Sequence, residues 1–270
     1  MTTDTLQVQK VRHAIKIRRL TVSRVTDLSP WMRRITLTGD DLAGFLSASF
    51  DDHVKLLVPE AAGAVPSLPT IGPNGLVFEA DKPRPAMRDY TPRRYDAASN
   101  ELDIDFVLGH EGPATDWASR AAPGHQLGIA GPRGSFVVPT GFDWHLLIGD
   151  ETALPAIARR LEELPETVKA IAVIKTVADD ARIELASRCA LEVHWVGGSA
   201  DAGADGTVLG PVVQALKLSD GHGYAWAAGE YNEIKAVRGL LTDRLGIDRS
   251  RIRASSYWRK SAAATHEHFD

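Results

Sequence analysis

The feature that most constrains the fold of this 270-residue chain is a change of pattern near residue 140. Before it, short runs of apolar and β-branched residues are separated by Gly, Pro, Asp and Asn, which is typical of an antiparallel sandwich or barrel. The clearest runs cover residues 35–38, 54–58 and 102–108. One helix is predicted in this part, over residues 114–122, because Gly112-Pro113 precede it and Pro123-Gly124 follow it. Residues 61–74, rich in Pro, Gly and Ala, are interpreted as a loop.

After residue 140, apolar runs alternate with helical patterns. Strands are predicted at residues 144–148, 170–176, 191–196 and 224–228, and helices at residues 152–164, 181–186, 208–218 and 233–245. Such alternation predicts a parallel sheet with helices on its faces. The sequence therefore predicts an N-terminal antiparallel β-barrel domain over residues 11–139, followed by a C-terminal α/β domain over residues 140–270.

Composition excludes several classes of protein. With 44% hydrophobic and 24% charged residues, the chain matches an ordinary globular protein. Its single cysteine, Cys189, excludes an intramolecular disulfide and a multi-cysteine zinc or iron–sulfur site. The net charge of −4 argues against nucleic-acid binding, and no run of about 18 apolar residues suggests a membrane span. We expect a cytoplasmic monomer without a metal site, and we interpret His266-Glu267-His268 as part of a polar tail.

The most informative motif is Arg88-Asp89-Tyr90-Thr91. On an extended strand, the side chains of Arg88 and Tyr90 point to the same face. A guanidinium can bind a diphosphate through paired hydrogen bonds, which a lysine cannot reproduce. The motif resembles the Arg-x-Tyr-(Ser/Thr) strand of the siderophore-interacting protein family, a branch of the ferredoxin-reductase-like flavoproteins. This resemblance implies that the four residues bind FAD.

A second motif runs from a strand through a glycine-containing turn into the predicted helix. The strand ends with Asp105-Phe106-Val107-Leu108, and the turn is Gly112-Pro113-Ala114-Thr115. Because the first amides of a helix have no acceptor within it, the turn is a candidate site for the pyrophosphate of FAD. The resemblance implies that both segments contact the ribityl-diphosphate part of the cofactor. The alternative is a plain connection between a strand and a helix.

Two further motifs lie in the predicted α/β domain, each where a strand ends and a helix follows. Gly149-Asp150-Glu151-Thr152 resembles the family motif that opens the nicotinamide-cofactor domain, and Ala228-Gly229-Glu230 resembles the family's Ala-Gly-Glu turn. Ligands of parallel sheets bind at this edge, and the resemblance implies that both motifs bind NAD(P)H. Without it, each motif is an ordinary strand-to-helix junction. Thr152 is expected to cap its helix, and the carboxylates of Asp150 and Glu151 would repel the extra phosphate of NADPH and favour NADH.

A strand in the first domain carries a further part of the resemblance. His53-Val54-Lys55 resembles the family's strand with a buried His-Val-Lys core, and His53 and Lys55 would share one strand face. The resemblance implies that Lys55 belongs to a basic pocket for the ferric chelate, with His53 beside it. For His53 the alternative is a hydrogen-bonded histidine of the barrel.

The last motif is Tyr257-Trp258-Arg259-Lys260, which resembles the family's C-terminal Tyr-Trp-Arg segment. The resemblance implies that the two aromatic residues shield the flavin or its adenine. It also implies that the two basic residues face an anionic siderophore.

These motifs, in this order over about residues 15–260, imply a ferric-siderophore reductase. Electrons would pass from NADH or NADPH to FAD and then singly to ferric iron, since a nicotinamide gives two electrons together and iron takes one. Ferredoxin is a further candidate for the electron donor. Two alternatives stay open: a flavin-dependent reductase of another acceptor, such as ferredoxin or a quinone, and a siderophore carrier without catalysis.

Overall fold

The computed structural model of this protein divides into two compact units. It describes residues 6–73, 75–197, 203, 206–260 and 267–269. The N-terminal unit is Val8–Val138, and the C-terminal unit combines Pro139–Asp270 with Met1–Gln7. Among the described helices, none is both long and apolar enough to cross a membrane.

The N-terminal unit is built on an antiparallel sheet. Its strands are β1 (Gln9–Arg12), β2 (Ile17–Ser29), β3 (Met32–Thr38), β4 (Val54–Val58), β5 (Thr70–Gly72), β6 (Gly75–Val77), β7 (Ala86–Tyr90), β8 (Arg94–Asp96), β9 (Glu101–Val107), β10 (Gln126–Ala130) and β11 (Gly134–Val137). Seven of them form one sheet in the order β7-β4-β10-β2-β3-β9-β8, which curls into a half-barrel; β1 pairs with β11 and β5 with β6. The predicted antiparallel barrel architecture is confirmed.

The core of this unit combines one face of the sheet with one face of helix α1 (Pro113–Arg120). Leu20 and Val22 are buried on β2, and the residues between and around them are more exposed, as expected for a sheet that packs on one face. Ala114 and Trp117 of α1 are buried three positions apart, which is the spacing of one helix face. Helix α1 therefore covers the sheet and is held firmly against it.

The C-terminal unit contains a mainly parallel sheet with helices. Its strands are β12 (Trp144–Gly149), β13 (Lys169–Thr176), β14 (Ala190–Gly197), β15 (Gly223–Glu230), β16 (Ile252–Trp258) and β17 (Glu267–Phe269), and its helices are α2 (Leu154–Glu163), α3 (Leu209–Ala215) and α4 (Tyr231–Asp243). The strand order is β14-β13-β12-β15-β16-β17, and only the β16–β17 pair is antiparallel. The predicted parallel α/β fold is confirmed. Within the described residues, β14 and β17 form the two edges of the sheet.

Strands β12 and β15 lie side by side in the middle of this sheet, and every residue of both is buried. Continuous burial is typical of parallel strands that are covered on both faces. In the parallel register Gly149, the last residue of β12, pairs with Ala228 of β15. The carboxyl ends of these two strands therefore meet at one edge of the sheet, where both predicted NAD(P)H motifs begin.

Two predicted secondary-structure assignments are wrong. Residues 181–186 do not form a helix: Asp179–Ala181 is a short 3-10 turn, and residues 182–187 have no regular structure. Six residues of favourable composition are too few to stabilise a helix without packing of an apolar face. The predicted loop over residues 61–74 contains β5, although Asn74 itself lies outside the described residues.

The predicted helix cap at Thr152 and the predicted polar tail also need correction. Thr152 does not cap α2, because the helix begins at Leu154 with Ala153 as its N-cap and a proline in the first turn. Proline suits that position, since its missing N–H would have no helical acceptor there. Part of the predicted polar tail forms β17, which pairs with β16, whereas His266 lies outside the described residues.

Candidate functional site

Arg88 and Tyr90 are alternate residues of β7 and therefore share one face of the sheet. Both are half-buried, and they pair with Leu56 and Val54 of β4. One N–H of Arg88 donates to the carbonyl of Met87 at 2.8 Å, and within the described part of the chain Arg88 forms no ion pair. A guanidinium carries five N–H donors. Arg88 therefore retains donors and an uncompensated charge for an anionic ligand.

Tyr90 connects β7 to β9 and to helix α1. Its ring packs against Phe106 with the centroids 4.6 Å apart, and Phe106 packs in turn against Trp117 at 5.8 Å. Burial raises the pKa of Tyr90 to about 12, and the nearby positive charge of Arg88 opposes that effect. The ring contacts, together with the contact between β7 and α1, place the Arg-Asp-Tyr-Thr strand next to the helix that the predicted pyrophosphate turn begins. The structure therefore brings together the two segments that the sequence assigned to FAD.

Helix α1 begins at a glycine in an unusual backbone conformation. Gly112 has a φ of +152°, which side-chain-bearing residues rarely adopt, and Pro113 takes the first helical position. The first helical hydrogen bond runs from the amide of Asp116 to the carbonyl of Gly112, at 2.9 Å. The amides of Ala114 and Thr115 precede it, so they have no acceptor within the helix. They are available to an anion at this turn.

These groups match the chemistry of FAD. A half-buried guanidinium supplies paired donors for a diphosphate, and the two amides at the start of α1 add the positive end of the helix dipole. Tyr90 adds an aromatic face that can lie along a planar ring. The residues present in the N-terminal unit therefore fit this cofactor.

Other residues predicted to contact FAD are held inside the fold. Asp105 has a fully buried side chain and accepts hydrogen bonds from Arg34 at 2.7 and 2.8 Å. The carbonyl of Val107 accepts a hydrogen bond from the hydroxyl of Thr115 at 3.3 Å, and Leu108 packs against the core. Asp105 and Val107 thus support the strand and the turn, and direct contacts of these residues with FAD stay predictions.

The sequence assigned Lys55 to the siderophore and Asp89 to FAD, but the two form an ion pair across β4 and β7. Thr91, which follows β7, is buried. His53 precedes the first residue of β4 and is exposed, so the expectation of a buried histidine on the same strand as Lys55 is wrong. The strand begins one residue too late to include His53, and substrate contacts of His53 and Lys55 stay predictions.

In the C-terminal unit, Asp150 connects the ends of three strands. It follows β12, and its Oδ1 accepts hydrogen bonds from the amide of Thr152, at 2.9 Å, and from the Thr152 hydroxyl. Its Oδ2 accepts from the amide of Glu230, the last residue of β15, at 2.9 Å. The same Oδ2 accepts from Nε1 of Trp258, the last residue of β16, at 2.8 Å. One carboxylate thus joins both predicted NAD(P)H motifs to the C-terminal segment.

Gly149 and Gly229 permit this close approach of the strand ends. A Cβ atom at Gly149 would lie 2.5 Å from the carbonyl oxygen of Ala228, and one at Gly229 would lie 2.6 Å from Oδ2 of Asp150. Gly229 also has a φ of +150°, which disfavours any residue with a side chain. The glycines of the two predicted NAD(P)H motifs are therefore required by packing within the protein.

The carboxylates predicted to meet NAD(P)H are engaged by main-chain amides. Glu151 is buried and accepts a hydrogen bond from the amide of Val177, and burial raises the pKa of its carboxyl group. Glu230 caps α4 by accepting from two amides of its first turn, at 2.8 and 3.2 Å. Asp150 and Glu151 are both buried and accept hydrogen bonds within the protein, and the expected preference for NADH stays a prediction.

The C-terminal segment lies against the start of α4. The guanidinium of Arg259 stacks on the ring of Tyr231 at 3.8 Å from its centroid, and the amide of Lys260 donates to the N-cap carboxylate of α4 at 3.4 Å. Tyr257 packs edge-on against Trp226 with the centroids 6.3 Å apart. The role of Tyr231 was not predicted from the sequence, although an aromatic residue directly after the Ala-Gly-Glu turn was a usable signal. The predicted contacts of residues 257–260 with flavin and siderophore stay predictions.

Comparison with known proteins finds relatives over nearly the whole chain. Two family models match: the siderophore-interacting FAD-binding domain over residues 21–136, and the siderophore-interacting protein model over residues 142–261. An NADPH-dependent ferric-chelate reductase of Escherichia coli (strain K12) is 38% identical over 254 residues, which cover 93% of this chain and 96% of the relative. The ferric vibriobactin reductase ViuB of Vibrio cholerae is 34% identical over 239 residues, 87% of each chain.

Solved structures share the architecture. A siderophore utilization protein from T. fusca superposes with a TM-score of 0.86 at 34% identity, covering 96% of this chain and 98% of that one. The ferredoxin reductase in carbazole 1,9a-dioxygenase has a TM-score of 0.64 at 19% identity, covering 88% of this chain and 68% of that one. The fold is therefore also that of ferredoxin reductases.

Proposed function

The chain belongs to the siderophore-interacting protein family, and on that basis we propose that it is a ferric-siderophore reductase. It is an FAD-dependent oxidoreductase, and we take its substrate to be ferric iron held by a siderophore, with NAD(P)H as the electron source. The names of two relatives, a ferric-chelate reductase and a ferric vibriobactin reductase, support this assignment.

One observation in the structure supports it most directly. Strand β7, which carries Arg88, contacts helix α1, and Tyr90 packs against Phe106, which packs in turn against Trp117 of that helix. A guanidinium and two helix-start amides are thereby collected where the FAD-binding domain model matches the chain. A siderophore carrier without a flavin would have no use for this combination.

The residues of the N-terminal unit bind and orient the cofactor. Arg88 and the amides of Ala114 and Thr115 would hold its diphosphate, and Tyr90 would offer an aromatic face to its ring system. The packed rings of Tyr90 and Phe106 would limit the access of water on that side. FAD, when bound, accepts a hydride and releases electrons one at a time, which matches a two-electron donor to a one-electron acceptor.

No side chain of the chain needs to act as a base at the iron, because the change at the metal is the gain of one electron. Ferric iron is a hard cation that suits oxygen ligands, whereas ferrous iron is a poorer match for them. Reduction therefore weakens the chelate and releases the metal, which on this proposal happens in the cytoplasm.

The direct test is anaerobic turnover of the purified, FAD-loaded protein. We expect NADPH or NADH oxidation that depends on a ferric catecholate or hydroxamate chelate, with ferrous iron captured by a chromogenic chelator at two irons per nicotinamide, the ratio fixed by the electron count. Turnover with a quinone but not with any ferric chelate would support a reductase of another acceptor. A colourless protein that stays colourless after incubation with FAD would support the carrier.

The donor and the assembly state are part of the same proposal. NADPH, NADH and reduced ferredoxin can be compared as donors under the same ferric-chelate assay, and we expect a nicotinamide to suffice. We also propose a monomer, so light scattering should give the 29.2 kDa of one chain. A mass near twice that value would contradict this.

A further inference from the structure

The carboxylate of Asp150 has no remaining capacity for a ligand. An ionised carboxylate offers about four lone-pair positions. Four donors fill them: the amide and hydroxyl of Thr152, the amide of Glu230 and the indole N–H of Trp258. With 4% of its surface exposed, Asp150 is also out of reach of a ribose or a nicotinamide amide. A role as a ligand of NAD(P)H does not fit this geometry.

The end of β16 is shaped so that Trp258 reaches this carboxylate. The register with β15 shifts by one residue here, since Gly229 pairs with Ser256 and Glu230 pairs with Trp258. Tyr257 is therefore the extra residue of a β-bulge. Bulges turn a side chain away from its regular direction and are common next to functional sites. The hydroxyl of Ser256 donates to the carbonyl of Trp258 at 3.2 Å and stabilises the bulge.

The residues after Trp258 are held by the same turn. The amide of Lys260 donates to Glu230, and Arg259 stacks on Tyr231, the first residue of α4. Asp150 and the Glu230 turn therefore fix the indole and the two basic residues as one segment. The indole of Trp258 is bound by Asp150, which lies 108 positions away in the sequence.

We propose that Asp150 is a positioning residue: through the indole of Trp258 it sets the place of the aromatic and basic C-terminal segment, and it does not bind NAD(P)H. This inference rests on the proposed function for its kinetic consequence, because the segment is the part expected to meet the flavin and the anionic siderophore. The contact itself is independent of that function.

The first test is spectroscopic and needs no turnover. In a ¹H–¹⁵N spectrum of the full chain, the indole resonance of Trp258 is identified by its loss in W258F. We expect it downfield, as for an N–H bound to a carboxylate, and we expect D150N to move it upfield. The matched control is D143N, which alters a carboxylate just before β12 that accepts the amide of His222 at 2.7 Å. That control should leave the resonance in place.

The second test separates positioning from nucleotide binding. If Asp150 acts through Trp258, D150N and W258F each lower kcat/KM for the ferric chelate by about tenfold, the usual scale for a lost hydrogen bond to a charged group. The double variant should then be no slower than either single variant. The dissociation constant of NADP⁺, measured by calorimetry, should stay within about twofold of wild type in all three, since no contact with the nucleotide is lost.

Different results overturn the inference in recognisable ways. Weaker NADP⁺ binding in D150N but not in W258F would make Asp150 a cofactor ligand, and an unmoved indole resonance would remove the contact. If D150N fails to fold, W258F still tests the contact and its kinetic effect, because phenylalanine removes the N–H donor and keeps an aromatic ring. If the proposed function is wrong, the wild-type protein will show no turnover that depends on ferric iron. The spectroscopic test of the contact between Asp150 and Trp258 does not depend on turnover and remains valid in that case.

Discussion

The ammonium group of Lys55 lies 2.8 and 3.0 Å from the two carboxylate oxygens of Asp89, and the two residues are directly opposite each other in the β4–β7 pair. The negative charge of the Asp89 carboxylate therefore balances much of the positive charge of Lys55. Its attraction for an anionic chelate is therefore weaker than the residue type alone suggests. Lys55 is still 43% exposed at its side chain, so a bound anion could compete with Asp89 for it.

Replacement of Asp89 by asparagine should strengthen the binding of an anionic ferric chelate. The ion pair is partly exposed, so we expect only a small effect, a KM lower by about threefold. Lys55→Gln should raise the KM by a similar factor, and a neutral ferric hydroxamate should respond to neither change. Equal responses to charged and neutral chelates would mean that Lys55 does not contact the substrate.

Replacement of Arg88 by lysine should weaken FAD binding although the charge is kept. The planar fork of donors is lost, and we expect the dissociation constant of FAD to rise by about tenfold or more. Quenching of flavin fluorescence on titration of the apoprotein measures this. Arg24→Ala is the matched control, because Arg24 is an exposed arginine of the same unit that pairs with Glu101 at 3.2 Å. Unchanged affinity in the Arg88 variant would place the diphosphate elsewhere.

Gly229 and Gly239 should respond in opposite ways to alanine. Gly229→Ala puts a Cβ atom against Asp150 at a φ of +150°, and we expect it to lower the free energy of unfolding by about 1–3 kcal/mol. Gly239 lies inside α4 with no atom near the added methyl group, so Gly239→Ala should raise the free energy of unfolding by about 0.5–1 kcal/mol. Urea denaturation of both variants checks the pair, and a stable Gly229→Ala protein would contradict the packing described at the strand ends.

His145 should make the protein less stable as the pH falls. Burial of its ring, with the charge of Arg160 nearby, lowers the pKa of His145 to about 3. The unfolded chain binds this proton near pH 6.5 and the folded chain does not, so below about pH 6.5 the free energy of unfolding falls by up to about 1.4 kcal/mol per pH unit. This contribution is fully present above pH 6.5.

His145→Asn provides the comparison, because asparagine is also a polar side chain but does not titrate in this range. Urea denaturation at several pH values between about 5 and 7 should give a flatter dependence for the variant. Parallel curves for the two proteins would show that His145 is protonated in the folded state.

The two large sheets could be predicted because their patterns are local. The strand over residues 54–58 was predicted with the bounds that the structure has, since a run of Val and Leu next to a proline leaves little choice. The prediction of a helix at residues 181–186 was wrong because the pattern was short. Composition favoured a helix, but no apolar face long enough to pack was present, and packing decides.

The partners of the site residues could not be predicted. Asp89 is 34 positions from Lys55, Asp150 is 80 positions from Glu230, and nothing in the local sequence indicates either contact. The motifs predicted two segments that do lie together, since the Tyr90 strand contacts helix α1. The carboxylates of Asp150, Glu151 and Glu230 were predicted to contact NAD(P)H, but in the structure they accept hydrogen bonds from main-chain amides of the protein itself. These contacts are visible only in the three-dimensional structure.

The two edges of the parallel sheet bear on how copies of this protein meet. Within the described residues one edge is β17, a strand of only three residues, and at the other edge β14 carries Glu192, whose carboxylate lies 2.6 Å from the ring of His194. Very short edge strands and charged residues such as Glu192 discourage pairing with the strand of another molecule. Crowded solutions of this protein should therefore resist the strand-to-strand association through which many open sheets polymerise.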